Sequence, residues 1–176
     1  MNLRPLMKIQ TAMKAMTDVV LPAVDPNNKM AQEQARLVVG MLNLLAETLP
    51  LAYRYDLDEL ERSVQLANTL RQQTGGIASG AESFASLTAS AEAGQDVLER
   101  ARAEPVELEN AVFDLRAKIG ALITSTYGKA DASLRHDLTA AVLTTVKEQL
   151  VRERVWVLSQ GWEPDPASLP SIETLI

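Results

Sequence analysis

The segment that decides the fold is KMAQEQARLVVGMLNLLAETL, residues 29–49. Of the ten residues from 37 to 46, all but a glycine and an asparagine are apolar. The polar or small residues recur every three or four positions, so they share one side of an α-helix. They are Lys29, Gln32, Glu33, Arg36, Gly40, Asn43 and Glu47. A helix that is apolar over most of its circumference is typical of the centre of a bundle. The segment therefore predicts a largely buried central helix over about residues 26–49, with Leu42 and Leu45 among the most sensitive positions.

The composition around this segment predicts one all-α domain. A chain of 176 residues with 47% hydrophobic and 23% charged residues has the size and composition of one globular domain. Aromatic residues make up only 4%, so aliphatic side chains must form most of the core. The sequence has no sustained alternation of apolar and polar residues and no Asn-Gly or Asp-Gly turn. Nothing in it therefore indicates a strand. We expect a bundle of five to six helices over residues 1–161 and a non-helical tail over 162–176, which contains three prolines.

The other helix boundaries follow from proline, glycine and capping signals. The first helix is predicted from Pro5 to about Val20, and Asp25-Pro26 is expected to cap the second. The third helix is predicted to begin at a capping box formed by Asp56 and Glu59 and to end at Gly75-Gly76. Residues 77–94, rich in alanine, serine and glycine, are predicted to be the most mobile interior region. Three further helices are predicted over about 95–103, from Pro105 to Gly128, and from Asp131 or Ser133 to Gly161.

The two longest of these later helices carry regular apolar faces. The helix from Pro105 has the cleanest amphipathic pattern in the chain, and a similar stripe follows in the last helix. The predicted inward residues are Leu108, Val112, Leu115, Ile119, Leu122 and Ile123, and then Leu134, Leu138, Val142, Val146 and Leu150.

Charge and cysteine content exclude several classes of function. A net charge of −6 and an isoelectric point near 4.9 disfavour binding to nucleic acid phosphates. The absence of cysteine excludes disulfides, thiolate metal sites and cysteine nucleophiles. Lys8, Lys14 and Asp18 interrupt the apolar residues near the N-terminus, which argues against a signal peptide. No apolar run reaches the roughly 20 residues that span a bilayer. We expect a cytoplasmic protein without nucleic acid or membrane partners.

The sequence contains no recognisable catalytic, cofactor-binding or metal-binding motif. His136 is the only histidine, so it cannot supply the paired histidines of a di-metal bundle, and we predict a surface position for it. The glycines form no phosphate-binding pattern. The acidic residues around Asp56 fit the first turn of a helix better than an acid/base pair. An enzyme is therefore the least favoured class of function, and no cofactor is expected.

The first candidate interface is the polar side of the 29–49 helix. We call it the polar seam, and it consists of Arg36, Gly40, Asn43 and Glu47. A seam facing water explains the pattern. Alternatively, Gly40 lets another helix approach closely while Asn43 and the charges fix the register. A glycine inside a helix lowers its stability, and nothing compensates for this cost unless another helix packs closely against the glycine. We predict the close approach, so Gly40→Ala should destabilise the protein.

Two further sets of residues have alternative interpretations. Val106, Phe113, Gly120 and Tyr127 recur every seven residues, as a helix partner requires. Internal packing explains this line slightly better than a subunit interface does. Met13, Met16 and Met41 belong to the methionine-rich first two helices. Their default role is core filling, and a pocket for a small apolar ligand is the alternative.

The run VVLPAVDPNNKMAQEQARLVVGMLNLLAETL, residues 19–49, resembles the opening of small all-helical bacterial proteins of unknown function. These are encountered near acyl-CoA dehydrogenases and aminoglycoside-phosphotransferase-like kinases. The shared features are the Leu-Pro-Ala after the first helix and the apolar helix that carries Asn43 and ends in Glu47-Thr48-Leu49. The resemblance implies a bacterial accessory protein and carries over no functional residue. The sequence as a whole favours a non-catalytic bundle that associates as a homodimer or with a protein partner; binding of an apolar ligand is second.

Overall fold

The computed structural model describes residues 4–78 and 81–176, and within them the chain forms helices and turns without any strand. The predicted all-α class is confirmed. The helices are α1 (Pro5–Ala15), α2 (Leu21–Ala23), α3 (Lys29–Thr48), α4 (Ala52–Ala78), α5 (Glu82–Glu99), α6 (Pro105–Thr126) and α7 (Ala132–Trp156). The described residues thus contain seven α-helical segments rather than five to six, because a π-helical turn over Met16–Val20 separates α2 from α1.

The chain divides into two compact units. Unit 1 contains the described residues up to Ala52 together with Arg152–Leu175, and unit 2 contains Tyr53–Val151 and Ile176. Residues 162–176 form only two short 3₁₀ turns, Pro166–Ser168 and Ile172–Thr174. The predicted boundary between a 1–161 domain and a tail stays a prediction.

The core of unit 2 forms between α4, α5, α6 and α7. Glu104 and Glu107 form a capping box at the start of α6, and Pro105 occupies its first turn. The apolar face predicted for α6 is confirmed, because five of its six residues are buried. These are Leu108, Val112, Leu115, Ile119 and Leu122.

Helix α4 is longer than its capping signals predict. It begins at Ala52, so Asp56 and Glu59 lie inside the helix and do not cap its start. It also continues through Gly75-Gly76 to Ala78, so the predicted stop at these glycines is wrong. Leu70, Thr74 and Ala78 are buried at four-residue spacing. Packing of this face offsets the cost of about 1 kcal/mol per helical glycine.

Helix α5 occupies most of the stretch predicted to be mobile. It begins at Glu82, and its residues Leu87, Ser90, Ala91 and Gly94 are buried. The predicted short helix over 95–103 is wrong, because residues 82–99 form one helix. Gly80, which belongs to the stretch predicted to be mobile, lies outside the described residues. The small residues that suggested mobility instead allow α5 to pack closely on α6.

Helix α3 contradicts the central expectation of burial. Asn28 and not Asp25 caps it, since the Asn28 Oδ1 atom accepts from the Ala31 amide at 3.0 Å. Only Ala35 of this helix is buried. The prediction of a largely buried central helix is therefore wrong for this chain. Within unit 1, α3 packs against α1, the turn that follows α1, and the 3₁₀ turn Leu158–Gln160, which leaves much of its circumference uncovered.

Helix α7 is capped as predicted but ends early. The Asp131 carboxylate accepts from the Leu134 amide at 2.8 Å, and the helix stops at Trp156 rather than Gly161. Leu138 is buried, whereas Val146 and Leu150 are exposed, so the inward orientation predicted for the last two is wrong.

An ion pair holds part of the C-terminal segment of unit 1. The Arg154 Nε and Nη2 atoms donate to the two carboxylate oxygens of Glu163 at 2.8 and 2.7 Å. This two-point contact lowers the pKa of Glu163 from its ordinary value. The contact links the last turn of α7 to the segment that follows it.

Candidate interaction surfaces

Unit 1 exposes a stripe of large apolar residues along α3. On a helical wheel its members fall within an arc of roughly 120°. The α3 stripe consists of Met30, Leu37, Val38, Met41, Leu45 and Leu49. Its central members Leu37, Val38, Met41 and Leu45 are between 44% and 51% exposed. The residues interspersed in this arc, Gln34 and Thr48, carry no charge. Helix α3 thus presents an uncharged apolar face to its surroundings.

The polar seam lies on another side of α3, where part of it contacts the C-terminal segment. The Gln160 side-chain amide donates to the Gly40 carbonyl at 3.1 Å. A Cβ added at Gly40 would lie 3.5 Å from the Gln160 Oε1 atom, an ordinary van der Waals distance, with nothing else described within 4 Å. The neighbour of Gly40 within the described chain is therefore a side chain, not a crossing helix.

The other polar residues of the seam form local contacts. The Asn43 amide donates to Glu47 at 2.9 Å. Arg36 lies 3.9 Å from Glu33, and both side chains are exposed, so this pair adds little stability. The assignment of Arg36, Gly40, Asn43 and Glu47 to a subunit interface stays a prediction.

The seven-residue line on α6 is exposed. Val106, Phe113 and Tyr127 are exposed large apolar residues, and Phe113 is 56% accessible. A Cβ added at Gly120 would meet no described atom within 4 Å. The Arg135 guanidinium lies 5.7 Å from the centre of the Tyr127 ring and is the one cation described over it. Internal packing, the slightly favoured interpretation of this line, is wrong; its role as a subunit interface stays a prediction.

A cavity of about 380 Å³ opens beside this line, between the first turns of α4 and the first half of α6. Val106, Val112 and Phe113 supply apolar wall, while Asp56 and Glu109 supply carboxylates. Glu59 and Arg116 also line the cavity. We call this feature the acidic groove. Three carboxylates against one guanidinium give it a negative charge.

The carboxylates of the acidic groove differ in their partners. Glu59 Oε1 accepts from Arg116 at 2.5 Å and from Gln149 at 3.0 Å. Asp56 and Glu109 form no ion pair in the part of the chain that the structure describes. Desolvation raises the pKa of Asp56 above its ordinary value, and the charges of Glu59 and Glu109 raise it further. Negative charge is thus concentrated here without an equal compensating charge.

The residues proposed for a methionine pocket do not line any cavity described here. Met13 and Met16 are half-buried, whereas Met41 is 51% exposed on the α3 stripe. A smaller cavity of about 170 Å³ in unit 2 has an apolar lining, including Ile123 and Leu138, but contains no methionine.

The described residues form neither a cluster of metal-binding side chains nor a single helix able to span a membrane. No group of three or more His, Asp or Glu side chains there is placed to hold a metal ion. His136 is exposed on α7, as predicted. No single described helix has the length and apolar character to cross a membrane; α3 and α4 meet that test only when joined across their break.

Comparison with known proteins assigns the chain to no family. No protein-family model, curated protein or solved structure matches the chain. The candidate surfaces therefore rest on the geometry of this chain alone.

Sequence reasoning identified part of these surfaces and missed the rest. It marked Phe113 and Tyr127 but assigned the carboxylate of Asp56 to a helix cap. The missed signal was Tyr53-Arg54-Tyr55 before it, which has no helix-breaking residue and allows the helix to start earlier. With Asp56 inside α4, its side chain is free to face α6.

Proposed function

We propose that this protein is a non-catalytic, cytoplasmic helical bundle that pairs with a second copy of itself through the α3 stripe. The observation that supports pairing is the uncharged apolar face that α3 leaves exposed. Large apolar faces on a soluble protein commonly mark interaction sites. A stripe without charge can pair with the same stripe of a second copy, because this pairing brings no like charges together.

The spacing of the stripe fits an antiparallel helix pair. Val38, Met41 and Leu45 are separated by three and four residues, the spacing of a coiled-coil seam. If the two-fold axis passes between Met41 and Leu42, Val38 of one copy faces Leu45 of the other. The same arrangement places Gln34 opposite Leu49. Each contact is then made twice, as a two-fold symmetric interface requires.

The energy available predicts a concentration-dependent dimer. Complete burial of an aliphatic side chain contributes roughly 1.5–3 kcal/mol, so a half-exposed one gains about 1 kcal/mol. All members of the stripe except Met30 are about half exposed, and these five residues on each of two copies supply on the order of 10 kcal/mol. Association costs about 4–15 kcal/mol in lost freedom. Gain and cost are of the same order, which favours reversible pairing over an obligate dimer.

Light scattering during size-exclusion chromatography, over a range of loading concentrations, tests this proposal. We expect the mass to rise from 19.2 kDa towards twice that value with concentration. Leu45→Glu should keep the protein monomeric, because pairing would bury the new charge. Leu143→Glu in unit 2 is the matched control, since Leu45 and Leu143 are 48% and 49% exposed.

Three outcomes would contradict the proposal. A monomer at every concentration would exclude self-association. A dimer unaffected by Leu45→Glu would place the interface elsewhere. A dimer lost only in Leu143→Glu would assign it to α7.

A further inference from the structure

The acidic groove combines three features that a helix-binding surface needs. Its wall is apolar, with Phe113 more than half exposed and Val106 also accessible. Its lining also includes the carboxylates of Asp56 and Glu109. Beyond the groove, the exposed line on α6 continues through Gly120 to Tyr127.

The length of the exposed line indicates the kind of ligand. Val106 and Tyr127 are 21 positions apart, so at 1.5 Å per residue the line extends about 30 Å along α6. An amphipathic helix of about 20 residues has the same length. No described atom lies within 4 Å of a Cβ added at Gly120, and the missing side chain lets such a helix come close to the α6 backbone there. Docking of an amphipathic helix along an apolar surface is a recurring mode of recognition.

Charge decides which helix fits. A second copy paired about a two-fold axis at the acidic groove would bring its own Asp56 and Glu109 towards these carboxylates. Opposed like charges of this kind disfavour association. A helix with lysine or arginine beside its apolar face would instead compensate them. The acidic groove thus differs from the uncharged α3 stripe, which has no such preference for a basic partner.

We propose that the acidic groove binds a basic amphipathic helix of another protein, with apolar side chains against Phe113 and Val106 and basic side chains beside Asp56 and Glu109. Desolvation raises the pKa of Asp56, and the charges of Glu59 and Glu109 disfavour its ionisation further, which agrees with this placement. A bound cation would relieve that repulsion.

The test uses a fluorescent 20-residue helical peptide with leucines three and four positions apart and lysines on the flanking positions. Its binding to the full chain is measured by fluorescence anisotropy at low and physiological salt. Phe113→Ala and the double change Asp56→Asn with Glu109→Gln should each weaken binding about tenfold, equivalent to 1.4 kcal/mol. Added salt should weaken binding to the unaltered chain more than to the double variant. Phe113 is exposed, so its truncation leaves the core intact.

Two controls separate specific docking from general attraction to an acidic protein. Glu82→Gln removes an exposed charge from the start of α5, whose next residue Ser83 contacts Ser125 near the far end of α6. It should change affinity less than twofold. A peptide with glutamates in place of the lysines should not bind. Repeating the titration with Leu45→Glu separates groove binding from pairing through α3.

The proposal is overturned if the lysine peptide does not bind. It is also overturned if Phe113→Ala and the double variant bind as tightly as the unaltered chain, or if Glu82→Gln weakens binding as much as they do. Equal binding of the glutamate peptide would exclude charge recognition. Self-association that depends on Phe113 and persists in Leu45→Glu would assign the groove to a second copy instead.

Discussion

Gly94→Ala tests the packing of unit 2 at a crowded contact between helices. Gly94 is buried on α5, and its neighbours lie on α4 and α6. A Cβ added there would lie 3.0 Å from Val64 Cγ2 and 3.2 Å from Leu115 Cδ1. Both distances are shorter than ordinary contacts between carbon atoms. The glycine therefore allows three helices to meet closely.

The expected change in stability follows from two opposing effects. Alanine favours the helix over glycine by about 1 kcal/mol. Overpacking a well-filled core costs about 1–3 kcal/mol. Val64 is β-branched and has little freedom to change its rotamer, and Leu115 is fully buried, so neither side chain yields easily. Overpacking should prevail, and we expect Gly94→Ala to lower the free energy of unfolding by about 1 kcal/mol.

Urea denaturation followed by circular dichroism measures this change, with Gly120→Ala as the matched control. Gly120 is also within a helix of unit 2, but it is exposed and has no close neighbour. Its replacement should raise the free energy of unfolding by about 0.5–1 kcal/mol. The two substitutions add the same methyl group but should change the free energy of unfolding in opposite directions. The comparison therefore separates the effect of packing from that of helix propensity. If Gly94→Ala stabilises as much as Gly120→Ala does, the close contact of α5 with its neighbours is refuted.

Three further predictions concern burial, the C-terminal ion pair and pH. Leu45→Ala should cost only about 1 kcal/mol in monomer stability, against about 2–5 kcal/mol for the buried Leu115→Ala; equal losses by urea denaturation would mean that Leu45 is buried. Glu163→Gln should accelerate chymotrypsin cleavage after the exposed Trp162, because Arg154 loses its charged partner; an unchanged rate of cleavage would show that the ion pair does not hold this segment. The raised pKa of Asp56 means that the folded state favours the protonated carboxyl; its contribution to stability is present below the unfolded pKa, near 3.9, and is lost as pH rises through the folded value. Asp56→Asn should therefore increase stability more at pH 7 than at pH 4 relative to the unaltered chain, and an equal effect at both pH values would contradict this linkage.

The all-α class and the buried face of α6 could be predicted because helical periodicity is a local property. The positions of Leu108, Leu115 and Leu122 are seven residues apart, and the helix buries all of them on one side. No knowledge of the neighbouring helices is needed to group them. The same reasoning failed for α3, where it identified the apolar face but could not say whether any helix covers it.

Close contacts between helices could not be predicted from the sequence for a related reason. Gly40 lies among leucines and was predicted as the close approach, while Gly94 lies in a segment of small residues predicted to be mobile. In the structure the short distances occur at Gly94. A glycine indicates that a close approach is tolerated, but the partner side chains come from distant parts of the chain. Gly40→Ala is now expected to stabilise the helix.

The most direct test of pairing through α3 is oxidative cross-linking of single cysteines. The natural chain contains no cysteine, so each introduced thiol is unique. In the antiparallel pair, Met41 lies beside the two-fold axis, where two Cα atoms come within the roughly 7 Å that a disulfide needs. Arg36, on another side of the same exposed helix, is the matched position. Oxidised Met41→Cys should give a covalent dimer on non-reducing gels at concentrations where Arg36→Cys stays monomeric. Monomeric Met41→Cys, or equal cross-linking at both positions, would contradict pairing through the α3 stripe.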